Sequence, residues 1–112
     1  MSSGGILTLD AGGTTFAFTA VHGDGHLSEP LVLKAEPNHL EGCLEVMMEG
    51  FSRIRETLTE PLLAISFAFP GPADYPAGVI GDLGNLPAFR GGIPLGPILA
   101  QHFGIPVFLE ND

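Results

Sequence analysis

The chain is short of cysteine and of positive charge. Its one cysteine, Cys43, rules out an internal disulfide, and with it a disulfide-stapled secreted scaffold. Lysine and arginine number 4 against 13 Asp+Glu, giving a formal net charge of −9. Such a surface repels nucleic acid and anionic membrane, and no basic stripe offsets it. The opening residues, Met1-Ser2-Ser3-Gly4-Gly5, carry neither the basic region nor the long apolar region of a signal peptide. No apolar run reaches the length of a membrane span. The expectation is therefore a cytoplasmic protein with no nucleic-acid or membrane partner. Phosphate ligands stay open, because backbone N–H groups and a divalent cation can hold them without lysine or arginine.

What the chain does have is apolar material. Hydrophobic residues make up 45% and charged residues 15% of the 112 positions, a balance that favours a packed globule over disorder. The length suits one small domain that buries roughly two-thirds of its unfolded surface.

Ile6–Asp10 is a short apolar run ending in an acid and reads as a buried strand. After the turn Ala11-Gly12-Gly13-Thr14, Thr15–His22 alternates Phe16, Phe18 and Ala20 with Ala17, Thr19 and Val21, which predicts a strand covered on both faces. Gly23-Asp24-Gly25 supplies a hairpin turn. Leu27–Ala35 reads as a third strand, with Pro30 marking it as an edge. A helix follows, with Asn38 as N-cap and Glu41 completing a capping box. Leu40, Leu44, Met47, Phe51, Ile54 and Leu58 form its apolar stripe, and Glu49 can pair with Arg53. Cys43 falls within this helix and reads as a packed thiol. Leu62–Phe69 is a continuous apolar run, expected to be buried on both faces. Residues 71–94 show no strong periodicity. A second helix over about Leu95–His102 turns Leu95, Ile98, Leu99 and His102 inward; Gly104 ends it and Pro106 blocks its continuation. Val107–Leu109 is a last strand. The order is β-β-β-α-β-α-β.

Three of these strands end in residues suited to ligand contact: Asp10-Ala-Gly-Gly-Thr14, Pro70-Gly71-Pro72 and Glu110-Asn111-Asp112. In open α/β sheets, ligands gather at the carboxyl ends of strands, so neighbouring strands would bring these segments into one site. In Asp10–Thr15, two glycines allow a sharp turn and close approach to an anion. Consecutive N–H groups can then cradle it, with the Thr14 hydroxyl as a further donor. Asp10 would act through Mg²⁺ and its waters. A plain Gly-Gly hairpin closed by an aspartate fits the same residues. No Gly-Lys-Ser/Thr follows, so this is not a P-loop. Asp112 could take the proton of an attacking hydroxyl in phosphoryl transfer, and Asn111 could hydrogen-bond a neighbouring hydroxyl. A polar exit from the strand accounts equally for that tripeptide. His22, His26, His39 and His102 fit no metal spacing and read as structural or surface residues.

Taken together, these segments resemble the ROK family of bacterial sugar kinases and related repressors, within the actin/hexokinase/Hsp70-like fold. The resemblance runs from Ile6 to Asp112. It rests on the ordered set Asp10-Ala-Gly-Gly-Thr-Thr15, Phe69-Pro-Gly-Pro-Ala-Asp74, Gly84-Asn-Leu-Pro87 and Ile105-Pro-Val-Phe-Leu-Glu-Asn-Asp112. It implies an α/β, RNase H-like (actin-like ATPase) fold, a β-β-β-α-β-α-β mixed sheet flanked by helices. Residues 1–112 would be the N-terminal lobe of a sugar kinase, truncated, with the C-terminal lobe absent and the fragment inactive by itself. Asp10, Gly12, Gly13, Thr14 and Thr15 would bind phosphate and Mg²⁺, Asp10 indirectly. Gly71, Asn85, Asn111 and Asp112 would contact the sugar, and Asp112 would be the catalytic base. The implied reaction is ATP-dependent phosphorylation of a hexose or N-acylated amino sugar, with sugar and nucleotide as partners. The resemblance also implies a structural Zn²⁺ site beyond Asp112 and a parent able to form a homodimer. Family members often carry Lys where Thr15 stands and Val where Ala73 stands; neither change removes a group this chemistry needs. Only five residues precede Ile6, too few for the helix-turn-helix of the repressor branch. Two other readings are a non-catalytic sugar sensor of the same family, against which retention of Asp112 counts, and an RNase H-like metal-dependent nuclease, against which the negative charge and the Gly/Pro-rich 71–94 stretch count.

Overall fold

The structure is a computed structural model that describes residues 4–12, 14–36, 38–69, 73–81 and 92–111. Strands β1 (Gly5–Ala11), β2 (Thr15–Val21) and β3 (Leu31–Lys34) precede helix α1 (Leu40–Arg55). Strand β4 (Leu62–Phe69), a short ribbon of β5 (Ala73–Asp74) and β6 (Val79–Ile80), helix α2 (Leu95–Phe103) and strand β7 (Val107–Asn111) follow. The main sheet has the order β3-β2-β1-β4-β7. β1–β2 and β2–β3 are antiparallel, whereas β1–β4 and β4–β7 are parallel.

Alternation decides which residues enter the core. In β2, Phe16, Phe18 and Ala20 are fully buried; across from them lie Leu7 and Leu9 of β1, and further along the sheet Ile65, Phe67 and Phe69 of β4. Both helices pack on this one face. Phe51 of α1 joins them: its ring lies 5.0 Å from Phe18, 5.7 Å from Phe67 and 6.1 Å from Phe103 of α2. The contacts with Phe18 and Phe103 are edge-to-face, an arrangement worth about 0.5–1.5 kcal/mol per pair beyond area burial. Gly50 lets α1 sit this close, since a Cβ there would overlap the Phe18 ring.

The expectation that β2 and β4 are covered on both faces does not hold for this chain. Ala17, Thr19 and Val21 are half-buried, Ser66 is half-buried, Ala68 is exposed, and Val32 and Phe108 are more than half exposed. Both helices lie against the other face, so among the described residues nothing layers over this one. Runs such as LLAISFAF read as doubly buried because Ala and Ser at the outward positions do not break the apolar pattern.

Other boundaries shift for local reasons. The third strand shortens to Leu31–Lys34: Leu27 forms an isolated bridge with Val21, and Ser28 engages Ala20 through both its amide and its hydroxyl before Pro30 interrupts the ladder. The α1 N-cap is His39 instead of Asn38, and it has no side-chain capping bond. Starting one residue later places Glu41 second in the helix, out of capping-box register. Leu58 lies beyond the end of α1 and packs over Gly5. In α2, Phe103 packs inward where His102 was expected; His102 is exposed. Gly104 ends α2 in the left-handed conformation (φ 69°) and donates to the Ala100 carbonyl. Glu49 and Arg53 do pair, at 3.2 Å, but both are more than half exposed and contribute little. Cys43 is buried; desolvation, helped by the charge of Glu36, pushes its thiol up to about 11, as suits a packed thiol. Among the described residues, no helix is long and apolar enough to cross a membrane.

At the amino end of β1 and β4, Glu60 ties the β2 turn to the start of β4. Its carboxylate accepts the Gly23 N–H at 2.8 Å and the Thr59 N–H at 3.0 Å, and lies 3.1 Å from His22 Nδ1. The backbone donors, Gly23 foremost, with His22 adding to them, lower its pKa from 4.5 to about 2. A lowered carboxylate pKa stabilises the fold above the unfolded value, and that stabilisation is lost as pH falls through the folded value. Glu60→Gln, which mimics the protonated acid, should therefore lower the melting temperature at pH 7. The gap from wild type should close between about pH 4.5 and 2, as followed by thermal unfolding across that range. Gly50→Ala should cost about 1–3 kcal/mol through overpacking against Phe18, more than the gain of about 1 kcal/mol in helix propensity. A melting temperature at or above wild type would show that α1 can move away from β2 without loss.

Candidate functional site at the carboxyl ends of three parallel strands

The sheet order makes β1, β4 and β7 adjacent and parallel, so Asp10, Phe69 and Asn111 stand at the same edge of three neighbouring strands. The condition for a shared site, that the three motif-bearing strands be neighbours, is met by the backbone. The β4–β7 register continues to the last rung, where Phe69 pairs with Asn111.

The β1–β2 connection is a tight hairpin. Gly12 N–H donates to the Thr15 carbonyl at 2.9 Å, which closes the turn. The Thr14 carbonyl accepts the Ala35 N–H at 2.9 Å, fixing the tip against the end of β3. Asp10, Thr14 and Thr15 are exposed. The hairpin thus presents a carboxylate and two hydroxyls to solvent, while the Gly12 amide is already satisfied and is not free to cradle an anion. Gly13, Gly71, Asn85 and Asp112, also assigned from sequence, lie outside the described residues, and Asn111 is placed through its backbone only.

Three ties in this part of the chain had no signature in the sequence. Tyr75 donates its hydroxyl to the Phe69 carbonyl at 2.8 Å, linking the ribbon to the last residue of β4. Ile80 and Ile93 exchange both backbone hydrogen bonds, at 2.7 and 2.8 Å, which joins the two ends of the segment that contains Asn85. Gly78, at φ 73°, meets Gly96 of α2 nearly backbone to backbone, with Gly96 N–H donating to the Gly78 carbonyl at 2.9 Å. A partner at that distance in sequence, or a two-residue strand, leaves no periodicity to read. Tyr75 and Pro76 also line a cleft of about 240 Å³ with Val107–Glu110 of β7. That is somewhat below the usual range of small-molecule sites.

No group of three or more His, Cys, Asp or Glu among the described residues could by itself hold a metal ion. An exposed Asp10 nonetheless suits Mg²⁺, which keeps several waters and is bound through one or two carboxylates together with substrate phosphates.

Neither a protein-family model nor a curated protein sequence matches the chain. Solved structures do. A glucokinase from Parabacteroides distasonis is 54% identical over 98% of this chain and 31% of its own, with a TM-score of 0.92. A ROK hexokinase from Thermus thermophilus is 31% identical over 96% of this chain and 35% of its own, with a TM-score of 0.81. A ROK family glucokinase from Streptomyces griseus, solved with glucose and AMPPNP, shares the fold at 22% identity, over 96% of this chain and 33% of its own, with a TM-score of 0.79. The chain thus spans about a third of the length of the structures it matches. Its sheet order, the motifs at the strand ends and this similarity agree: the chain belongs to the ROK family.

Proposed function

We propose that the protein is a cytoplasmic, ATP-dependent sugar kinase that phosphorylates a hexose or N-acylated amino sugar, with this chain as its N-terminal lobe. The observation that carries this reading is the 54% identity to a glucokinase across 98% of the chain. The neighbour solved with glucose and AMPPNP supports a sugar and a nucleotide as the two ligands.

The role of each residue is the one the family resemblance implies, and its chemistry suits that role. The Thr14 and Thr15 hydroxyls, exposed on the hairpin, donate to phosphate oxygens, together with the turn's amides other than Gly12. Gly12 and Gly13 carry no side chain to hinder the approach of phosphate. Asp10 holds the waters of Mg²⁺; when bound, that ion neutralises charge on the phosphates. Gly71, Asn85 and Asn111 contact the sugar. Asp112 accepts the proton of the sugar hydroxyl as its oxygen attacks the terminal phosphorus, and ADP leaves from the opposite side. Phosphoryl transfer asks mainly for positioning and charge stabilisation, and three adjacent strand ends supply a rigid frame for both.

The test uses the protein at the full length of its relatives, assayed for ATP-dependent phosphorylation over a panel of hexoses and N-acylated amino sugars. Asp112→Asn should lower kcat by at least about 100-fold, the usual worth of a general base. The reading fails if the native protein turns over no sugar, or if the variant is as fast as native.

A further inference from the structure

We infer that Lys34 is a nucleotide-phosphate ligand, supplied to the hairpin from the neighbouring edge strand; this inference rests on the kinase reading above. The hairpin Asp10–Thr15 has no cation of its own, and its Gly12 amide is spent on the Thr15 carbonyl. A polyphosphate approaching a chain of net charge −9 needs positive charge close by. The strand register supplies one. Lys34 is the direct cross-strand partner of Thr15, in the last pair of the β2–β3 ladder before the hairpin tip. Directly opposed residues of an antiparallel pair hold their Cβ atoms about 4.5–5.5 Å apart on the same face. Thr15, Lys34 and Asp10, the last paired with Ala17, all take the face away from the helices. The Ala35 N–H to Thr14 carbonyl bond fixes the end of β3 against the turn, so the lysine stem starts from a held backbone.

The other described cations do not compete for this role, and Arg90 lies outside the described residues. Arg53 pairs with Glu49 on α1, and Arg55 lies in the last turn of the same helix, which packs on the opposite face of the sheet. Lys34 is exposed and makes no ion pair among the described residues. A flexible four-carbon stem with a compact ammonium suits a phosphate held as a point charge, with the threonine hydroxyls adding directional bonds. The alternative role is that of an edge guard: β3 is an edge strand, and lysine there discourages strand-to-strand association. The two roles differ in what they do to ATP.

The experiment measures KM for ATP and for the best sugar in the full-length protein, with Lys34→Gln and Lys34→Arg, at low and high salt, and records the oligomeric state by size exclusion. Loss of a charged hydrogen bond to phosphate should raise KM for ATP about 10-fold in Lys34→Gln, leaving KM for the sugar within about twofold. Lys34→Arg should stay within about threefold of native, and added salt should narrow the native-to-Gln gap. An unchanged KM for ATP in an active Lys34→Gln enzyme overturns the assignment. So does association or precipitation of Lys34→Gln with native ATP kinetics in the remaining monomer, the mark of an edge guard. A native protein that phosphorylates no sugar sinks the kinase reading instead; titration of native and Lys34→Gln protein with ATP by calorimetry then decides the lysine separately, equal affinities overturning it.

Discussion

The packing of Phe51 against Phe18 is the contact on which the rest of the arrangement depends. It places α1 across β2 at the distance that Gly50 permits, and the same ring reaches Phe67 of β4 and Phe103 of α2. One side chain therefore sets four elements with respect to one another. The antiparallel half of the sheet (β3-β2-β1) and the parallel half (β4-β7) are joined by β1–β4 backbone pairing, and on the helix side the Phe51 ring bridges them by meeting Phe18 of β2 and Phe67 of β4. With both helices committed to that side, the carboxyl edges of β1, β4 and β7 are left clear of cover from either helix.

That arrangement divides the sheet into two ends with different chemistry. At the amino end of the parallel strands, the acceptors are satisfied internally: Glu60 takes amide hydrogens from Gly23 and Thr59 and faces His22. At the carboxyl end, Asp10, Thr14, Thr15 and Glu110 are exposed. A carboxylate tied by backbone donors is locked into the fold; one left in water can meet a hydrated cation or a hydroxyl. The difference between these ends, more than any single motif, is what supports the carboxyl edge as the proposed place for a ligand.

Much of this was readable in the sequence, for definite reasons. Phe16, Phe18 and Ala20 alternate with Ala17, Thr19 and Val21, so the strand β2 followed from a period of two, while its two largely apolar faces did not tell which one the helices cover. The stripe through Met47, Phe51 and Ile54 gave α1, and Gly104 gave the end of α2. The strand ends Asp10-Ala-Gly-Gly-Thr14 and Glu110-Asn111-Asp112 were visible as polar groups terminating apolar runs. What could not be read were features set by a partner distant in sequence or by a single-residue shift. The capping box of Asn38 and Glu41 looks sound in sequence, yet a helix that begins after His39 makes it meaningless. The outward positions of β4 hold Ala and Ser, which suit solvent and a covering layer equally, so the apolar run could not reveal that one face lies open. The Tyr75 hydroxyl meets a backbone carbonyl, and the Ile80–Ile93 pair joins through amides and carbonyls, so neither has a partner side chain to mark it in the sequence.

The same reasoning bears on how an acidic chain could serve the anionic ligand proposed for it. Net charge acts over distances comparable with the Debye length, about 8–10 Å at physiological salt, whereas a bound phosphate responds to groups within a few ångströms. Lys34 and Thr15 face one another across a strand pair, while Arg53 spends its charge on Glu49 on α1, at the other face of the sheet. A register shift of one residue in β3 would turn Lys34 toward the core face and away from Thr15, since a strand's side chains alternate strictly. The register is held against such a slip by Leu31 and Leu33, which pair with Phe18 and Phe16 and pack against the core. The apolar contacts of the edge strand thus fix where its one charge stands, and the phosphate contact proposed for Lys34 depends on the packing around Phe18 that also anchors α1.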